Sequence, residues 1–208
     1  MPYKKVGIRM GCDIHMFIEW REEGEDKWQL DRHHIMREEW GDIYMKEITA
    51  TGRWYHLFGM LADQLRYHTN FRWKLRDLPK DISTKLKEYI EDDPNLHSHS
   101  WLTPRELKET LNRVVIEQER EYRWYASRSK TLVSREDFGI FNPLNYEGEA
   151  TTCFYDWETV ERKDRPTDWV SILDYIKLEQ DKHNAEQILL KPNNPTKLEA
   201  RLVFCFDN

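Results

Sequence analysis

Two histidine motifs carry the chemistry this chain could do. In Asp13-Ile-His15, strand alternation sets both side chains on one face, about 6–7 Å apart. A carboxylate oxygen and an imidazole nitrogen are standard ligands for Zn, Mn or Fe. In His97-Ser-His99, both imidazoles point the same way if the segment is extended, with the Ser98 and Ser100 hydroxyls and the flat Trp101 ring alongside. That motif leads into a helix start, whose free N–H groups and partial positive charge favour a phosphate. Brought together, Asp13, His15, His97 and His99 would hold a divalent metal beside an anion site, and the metal-bound water would hydrolyse a phosphoester. The clustering of titratable groups supports that reading. In the structural alternative, Asp13 and His15 pair with an arginine across a sheet face, while His97 and His99 cap the helix. Cys12 is a weaker nucleophile candidate, because alternation sets it opposite Asp13 and His15. His33 and His34 lie in a charged loop and add a ligand only if that loop folds inward.

The elements that must position these groups can be read from periodicity. Residues 11–20 alternate as a strand, and 27–30 return after the turn at Gly24 as its hairpin partner. Residues 32–53 read as loop with short pieces of structure. Leu57, Phe58, Leu61, Ala62 and Leu65 set a helix over 55–66, and 81–91 form a shorter one. Thr103, Pro104 and Glu106 are the N-cap, first-turn proline and capping box of a third helix, with Leu107, Leu111, Val114 and Val115 inward. Thr167 caps a fourth helix with Val170, Leu173 and Ile176 inward, and a strand is expected around 152–157. Residues 201–206 are apolar on both faces after Arg201, the pattern of a central strand. Strands at both ends with helices between give an α+β fold: one domain over 1–208, its N- and C-terminal strands in one mainly antiparallel sheet. Residues 1–10 read as an N-terminal extension and 113–165 as an insert.

Composition narrows the function classes. The 208 residues carry 32 Lys+Arg against 38 Asp+Glu, a net charge of −6, which argues against broad nucleic-acid coating. Aromatic residues at 13 % argue against disorder despite a mean hydropathy of −0.87. No apolar run approaches the roughly 20 residues of a membrane span, and no signal core opens the chain. Three cysteines at wide spacing fit a reducing compartment, hence a cytoplasmic protein. Two runs depart from the acidic average: 66–76 holds four cations and no acid, and 120–130 four cations and one acid, both interleaved with rings. Such runs suit a nucleotide or single-stranded nucleic acid; in the plainer reading the rings fill core and the arginines pair with carboxylates. P-loop, dinucleotide, nucleophile-elbow, zincin and CxxC motifs are absent.

Gly11-Cys-Asp-Ile-His15, Gly52-Arg-Trp-Tyr-His-Leu-Phe-Gly-Met-Leu-Ala62, Leu78-Pro-Lys-Asp-Ile-Ser83, His97-Ser-His-Ser-Trp-Leu-Thr103 and the ending Arg201-Leu-Val-Phe-Cys-Phe-Asp-Asn208 occur in that order. Together they resemble an uncharacterised family of bacteriophage and bacterial proteins whose members open with a GCDIH motif. The resemblance implies a phage-associated protein of the host cytoplasm, with motif positions Cys12, Asp13, His15, Arg53, His97, His99, Trp101 and Asp207. Asp-x-His on a first strand also looks like metallophosphoesterases, but their later histidine signatures are missing, so that fold is not adopted.

The expectation is therefore a metal-dependent hydrolase of a phosphoester, with a nucleotide or nucleic acid as substrate. Asp13, His15, His97 and His99 act at the metal with Asp207 as a further ligand, Arg53 neutralises phosphate, Ser98 and Ser100 bind it, and Trp101 stacks a base. The alternative is a non-catalytic phage protein that binds a nucleotide or a host defence component through the same pocket.

Overall fold

The computed structural model describes residues 13–37, 43–45, 47–49, 55–62, 71–128 and 169–207. Its centre is the pairing of β1 (Asp13–Glu22) with β7 (Leu198–Asp207), antiparallel and in unbroken register from Asp13 opposite Asp207 to Glu22 opposite Leu198. On the outer side of β1 lie β2 (Gln29–Leu30) and β5 (Ile48–Thr49), both antiparallel to it. On the far side of β7 lies β6 (His97–Leu102), so the sheet runs β2-β1-β7-β6, with β5 beside β1. The chain is thus an α+β domain with its N- and C-terminal strands paired, and β7 is interior. A small antiparallel pair, β3 (Ile35–Arg37) with β4 (Ile43–Met45), stands apart from that sheet.

Alternation gives the sheet two different faces. Ile14, Met16 and Ile18 share one face with Ala200, Leu202, Phe204 and Phe206. That face is covered by α1 (Tyr55–Ala62), α3 (Pro104–Ala126) and α4 (Trp169–Leu190), through Leu57, Phe58, Leu61, Leu107, Leu111, Val114, Ile172 and Ile176. The other face presents Phe17, Val203 and Cys205 to Leu86 and Ile90 of α2 (Thr84–Asp92). Burial on both sides explains why β7 reads as a continuous apolar run. Gly24, in the turn after β1, has φ +93°, a backbone conformation that L side chains rarely adopt.

Several boundaries differ from the sequence reading. Helix α3, whose expected inward stripe reaches Val115, runs on to Ala126, so residues 113–126 of the span read as an insert are helical. The expected strand at 152–157 lies outside the described residues. The loop after β2 does fold inward. His34 is 1 % exposed and its Nε2 accepts the Ile18 N–H at 2.9 Å, so this histidine completes the β1 edge rather than reaching toward a metal.

Candidate functional site

His15 stands on the α2 face of the sheet, with Asp13 and Asp207 at the same end of the β1–β7 pair. Its ring is held between two carboxylates: Nδ1 lies 3.1 Å from Glu47 Oε1, and Nε2 lies 3.5 Å from Asp207 Oδ2. Both ring nitrogens are buried, and these carboxylates meet them as ion pairs rather than as aligned hydrogen bonds. The Glu47 contact raises the His15 pKa, burial opposes it, and Asp207 adds to the rise. Glu47 is lowered in turn, first by His15, with burial opposing and the Tyr89 hydroxyl adding a hydrogen bond of 2.6 Å to Oε2. Asp207 is placed by the Asp13 backbone N–H, which donates to its Oδ1 at 3.1 Å. Beneath this group, burial pushes the Cys205 thiol up to about 12, and the Glu47 and Asp207 carboxylates add to the rise. Cys205 is therefore a neutral core thiol and no nucleophile.

The second motif is built differently from its expectation. His97 lies opposite Phe206 and Ser100 opposite Phe204, so three steps on β6 match two on β7. Ser98 absorbs the extra residue as a bulge, with φ 53°. That insertion breaks the alternation that would point both imidazoles the same way. Residues opposite one another share a face, so His97 belongs to the Phe206 face, whereas His99, one residue before Ser100, belongs to the Cys205 face. His97 Nδ1 lies 2.9 Å from Ser98 Oγ. Neither His97 Nε2 nor His99 Nε2 has a hydrogen-bond partner among the described residues. Burial lowers the His99 pKa, His97 adds to that, and Asp77 opposes it.

The helix start that was to hold phosphate is already filled. Thr103 N–H and Oγ–H both donate to Glu106 Oε2 at 2.9 Å, and Arg76 donates to both oxygens of the same carboxylate. The capping box thus puts its own anion where an outside anion would sit. Ser100 is fully buried and its Oγ accepts the Arg76 backbone N–H at 3.2 Å, so it is a structural hydroxyl rather than a substrate contact. Trp101 is stacked by the Arg76 guanidinium, 4.7 Å from the ring centroid. The basic run 66–76, where described, spends Arg76 on Glu106 and Trp101 in this way.

Comparison with known proteins gives no match, whether to a family model, a curated protein or a solved structure. The geometry therefore has to speak alone. It brings His15, Glu47, Asp207 and the Asp13 backbone together, and the β6 bulge sets His97 and His99 on different faces of the sheet. Among the described residues, no three His, Cys, Asp or Glu side chains are arranged to hold a metal ion. Arg53 and Cys12 lie outside the described residues. Glu47 escaped the sequence reading because nothing in its local pattern marks it; only the pairing of β5 with β1, His15 opposite Thr49, brings it near.

A second polar network also went unread. Asp31, 3 % exposed, accepts Trp20 Nε1–H at 2.5 Å, the Tyr175 hydroxyl at 2.7 Å and the His33 backbone N–H at 2.7 Å. Burial alone would raise its carboxyl, but the hydrogen bonds from His33, Trp20 and Tyr175 outweigh it and hold Asp31 well below the usual range. Asp31 thereby ties the loop after β2 to α4.

Proposed function

We propose that the protein is a hydrolase of a phosphoester, with a nucleotide or nucleic acid as substrate, and that His15 is its proton-transfer group. The observation that supports this reading is the His15 ring held between Glu47 and Asp207, with its charged form favoured. A phosphoester that displaces Asp207 from Nε2, the longer of the two contacts at 3.5 Å, would receive the Nε2 proton on its leaving oxygen as that P–O bond breaks and water forms the new one. Glu47 and Asp207 orient the ring and favour its charged form. Asp13, His15, His97, His99 and Asp207 are suitable donors for a metal by type. They lie on β1, β6 and β7, and among the described residues no three such side chains are arranged to hold a metal ion, so no step is routed through a metal. A setting in the host cytoplasm is part of this proposal and follows from the resemblance to phage proteins; no helix among the described residues is long and apolar enough to cross a membrane.

The test is turnover of bis(p-nitrophenyl) phosphate, p-nitrophenyl phosphate and short single-stranded DNA and RNA, with and without EDTA. His15→Gln should lower the rate at least about a hundredfold, the scale of losing general acid catalysis. Equal rates for the variant and the wild type overturn the assignment of His15. Binding of a nucleotide without turnover would favour the other reading, a non-catalytic protein that uses the same charged imidazole as a hydrogen-bond donor toward a nucleotide or a host defence component.

A further inference from the structure

A separate feature lies at the opposite end of the sheet, where β6 stops short of β7. The Glu23 N–H donates to the Lys197 carbonyl at 2.8 Å. In an antiparallel ladder this fixes the alternation: odd-numbered residues of β7 bond to β1, and even-numbered ones turn their N–H and C=O toward β6. Leu202, Phe204 and Phe206 lie opposite residues of β6. Leu198 and Ala200 lie beyond its end. Continuing the register from Leu102 opposite Leu202 places Pro104 opposite Ala200. Proline has no N–H to continue a ladder, and here it opens α3 instead. The Leu198 carbonyl is taken by Gln180 Nε2 at 2.8 Å. The Ala200 N–H and C=O point to the same side, beyond the last paired residue of β6.

This open edge borders a cavity of about 490 Å³, lined by Leu198, Ala200, Trp28, Trp101, Pro104 and Lys197 among others. Two of its three lining cations are paired. Arg21 pairs with Glu199 at 2.6 Å, and Arg201 with Glu19 and Asp81, each at 2.7 Å. The Arg201 guanidinium also stacks on Trp28 at 4.1 Å. Lys197 is the lining cation that has no ion pair among the described residues. A phosphate entering here would meet Asp81 and Glu199 as well as the cations, so a nucleotide is poorly matched. A neutral main chain is well matched, because it offers a donor and an acceptor to the Ala200 C=O and N–H.

We propose that this cleft binds an extended peptide segment of a partner protein, which adds as a short strand along Leu198–Arg201. The open edge accommodates about four residues, roughly 13 Å at the rise of a strand. The peptide pairs its main chain with Ala200. It lays one apolar side chain on Trp101 and Trp28, and it brings an acidic group to Lys197. This site is separate from the His15 cluster and does not rest on the hydrolase reading.

The experiment titrates full-length protein with a panel of blocked heptapeptides, each with a central Leu, Tyr or Trp, with Asp or Asn following. Tryptophan fluorescence and the amide resonance of Ala200 are the readouts. At least one peptide should bind with a Kd below about 1 mM and slow hydrogen exchange at the Ala200 amide. N-methylation of its alternate amides should weaken it at least about tenfold, because only main-chain pairing needs those N–H groups. Lys197→Glu should abolish the preference for Asp over Asn. The proposal is overturned if N-methylated and parent peptides bind alike, or if no peptide in the panel binds. It is also overturned if AMP or a thymidine oligonucleotide shifts Trp28 and Trp101 while the peptides do not.

Discussion

His15 shows how little of a residue's chemistry is set by its own motif. Asp13 supplies a backbone N–H to the neighbouring Asp207, while the two groups that govern the imidazole, Glu47 and Asp207, come from far apart in the chain. Glu47 is the largest cause of the raised His15 pKa, so Glu47→Gln should move the His15 titration midpoint downward, read from its ring proton shifts by NMR. An unchanged midpoint would show that the 3.1 Å contact has no electrostatic consequence. The same pairing sets a pH dependence of stability. A histidine whose folded pKa is raised contributes fully below its ordinary value near 6.5, and that contribution is lost as pH rises through the raised value. Glu47, with a lowered pKa, contributes above its ordinary value near 4.3 and loses its share as pH falls. Wild-type stability should therefore be greatest between those values and fall by about 1 kcal/mol on the alkaline side, followed by urea unfolding. His15→Gln should lack that alkaline step.

Elements whose cause is local were legible in the sequence. The first strand, read over 11–20 and found over Asp13–Glu22, the capped start of α3 and the interior position of β7 all follow from alternation, Thr103-Pro104 and a two-sided apolar run. Features that depend on register were not. The bulge at Ser98 cannot be seen in the letters His97-Ser-His99, yet it separates the two imidazoles onto different faces. The α3 start was legible as a helix cap and misread as an anion site, although the same Glu106 that marks the capping box also fills it. Glu106→Ala removes the acceptor for the Thr103 N–H and hydroxyl and the partner of Arg76. It should destabilise the protein by about 1–2 kcal/mol in thermal or urea unfolding, with Arg76→Ala no worse. If Glu106→Ala leaves stability unchanged, the box is geometric only, and the helix start is again open to an external anion.

At the scale of the whole molecule, one sheet face is a continuous core under three helices, and the other is apolar only in its middle. Phe17, Val203 and Cys205 hold that middle against α2, and polar groups occupy both ends: His15 with Glu47 and Asp207 at one, Glu19 with Arg201 at the other. The Glu19 end is the more buried, with Glu19 at 0 % and Arg201 at 3 % exposure. Glu19 faces Arg201 across β1 and β7, and its Oε1 also accepts the Ser83 N–H that precedes α2, at 2.8 Å. One carboxylate therefore fastens two strands to the helix that covers them. Removing the Glu19 charge leaves Arg201 still paired with Asp81 at 2.7 Å, so the cost stays below the about 3–5 kcal/mol of a buried charge left wholly uncompensated. Glu19→Gln should lower the melting temperature by several degrees, at about 2–4 °C per kcal/mol, and it should loosen α2 first, seen as faster hydrogen exchange at Leu86 and Ile90. Exchange that speeds up equally across α1, α3 and α4 would mean that the two faces do not unfold separately. The His15 end should keep its NMR titration in this variant, because its carboxylates come from Glu47 and Asp207 and not from the Glu19 network.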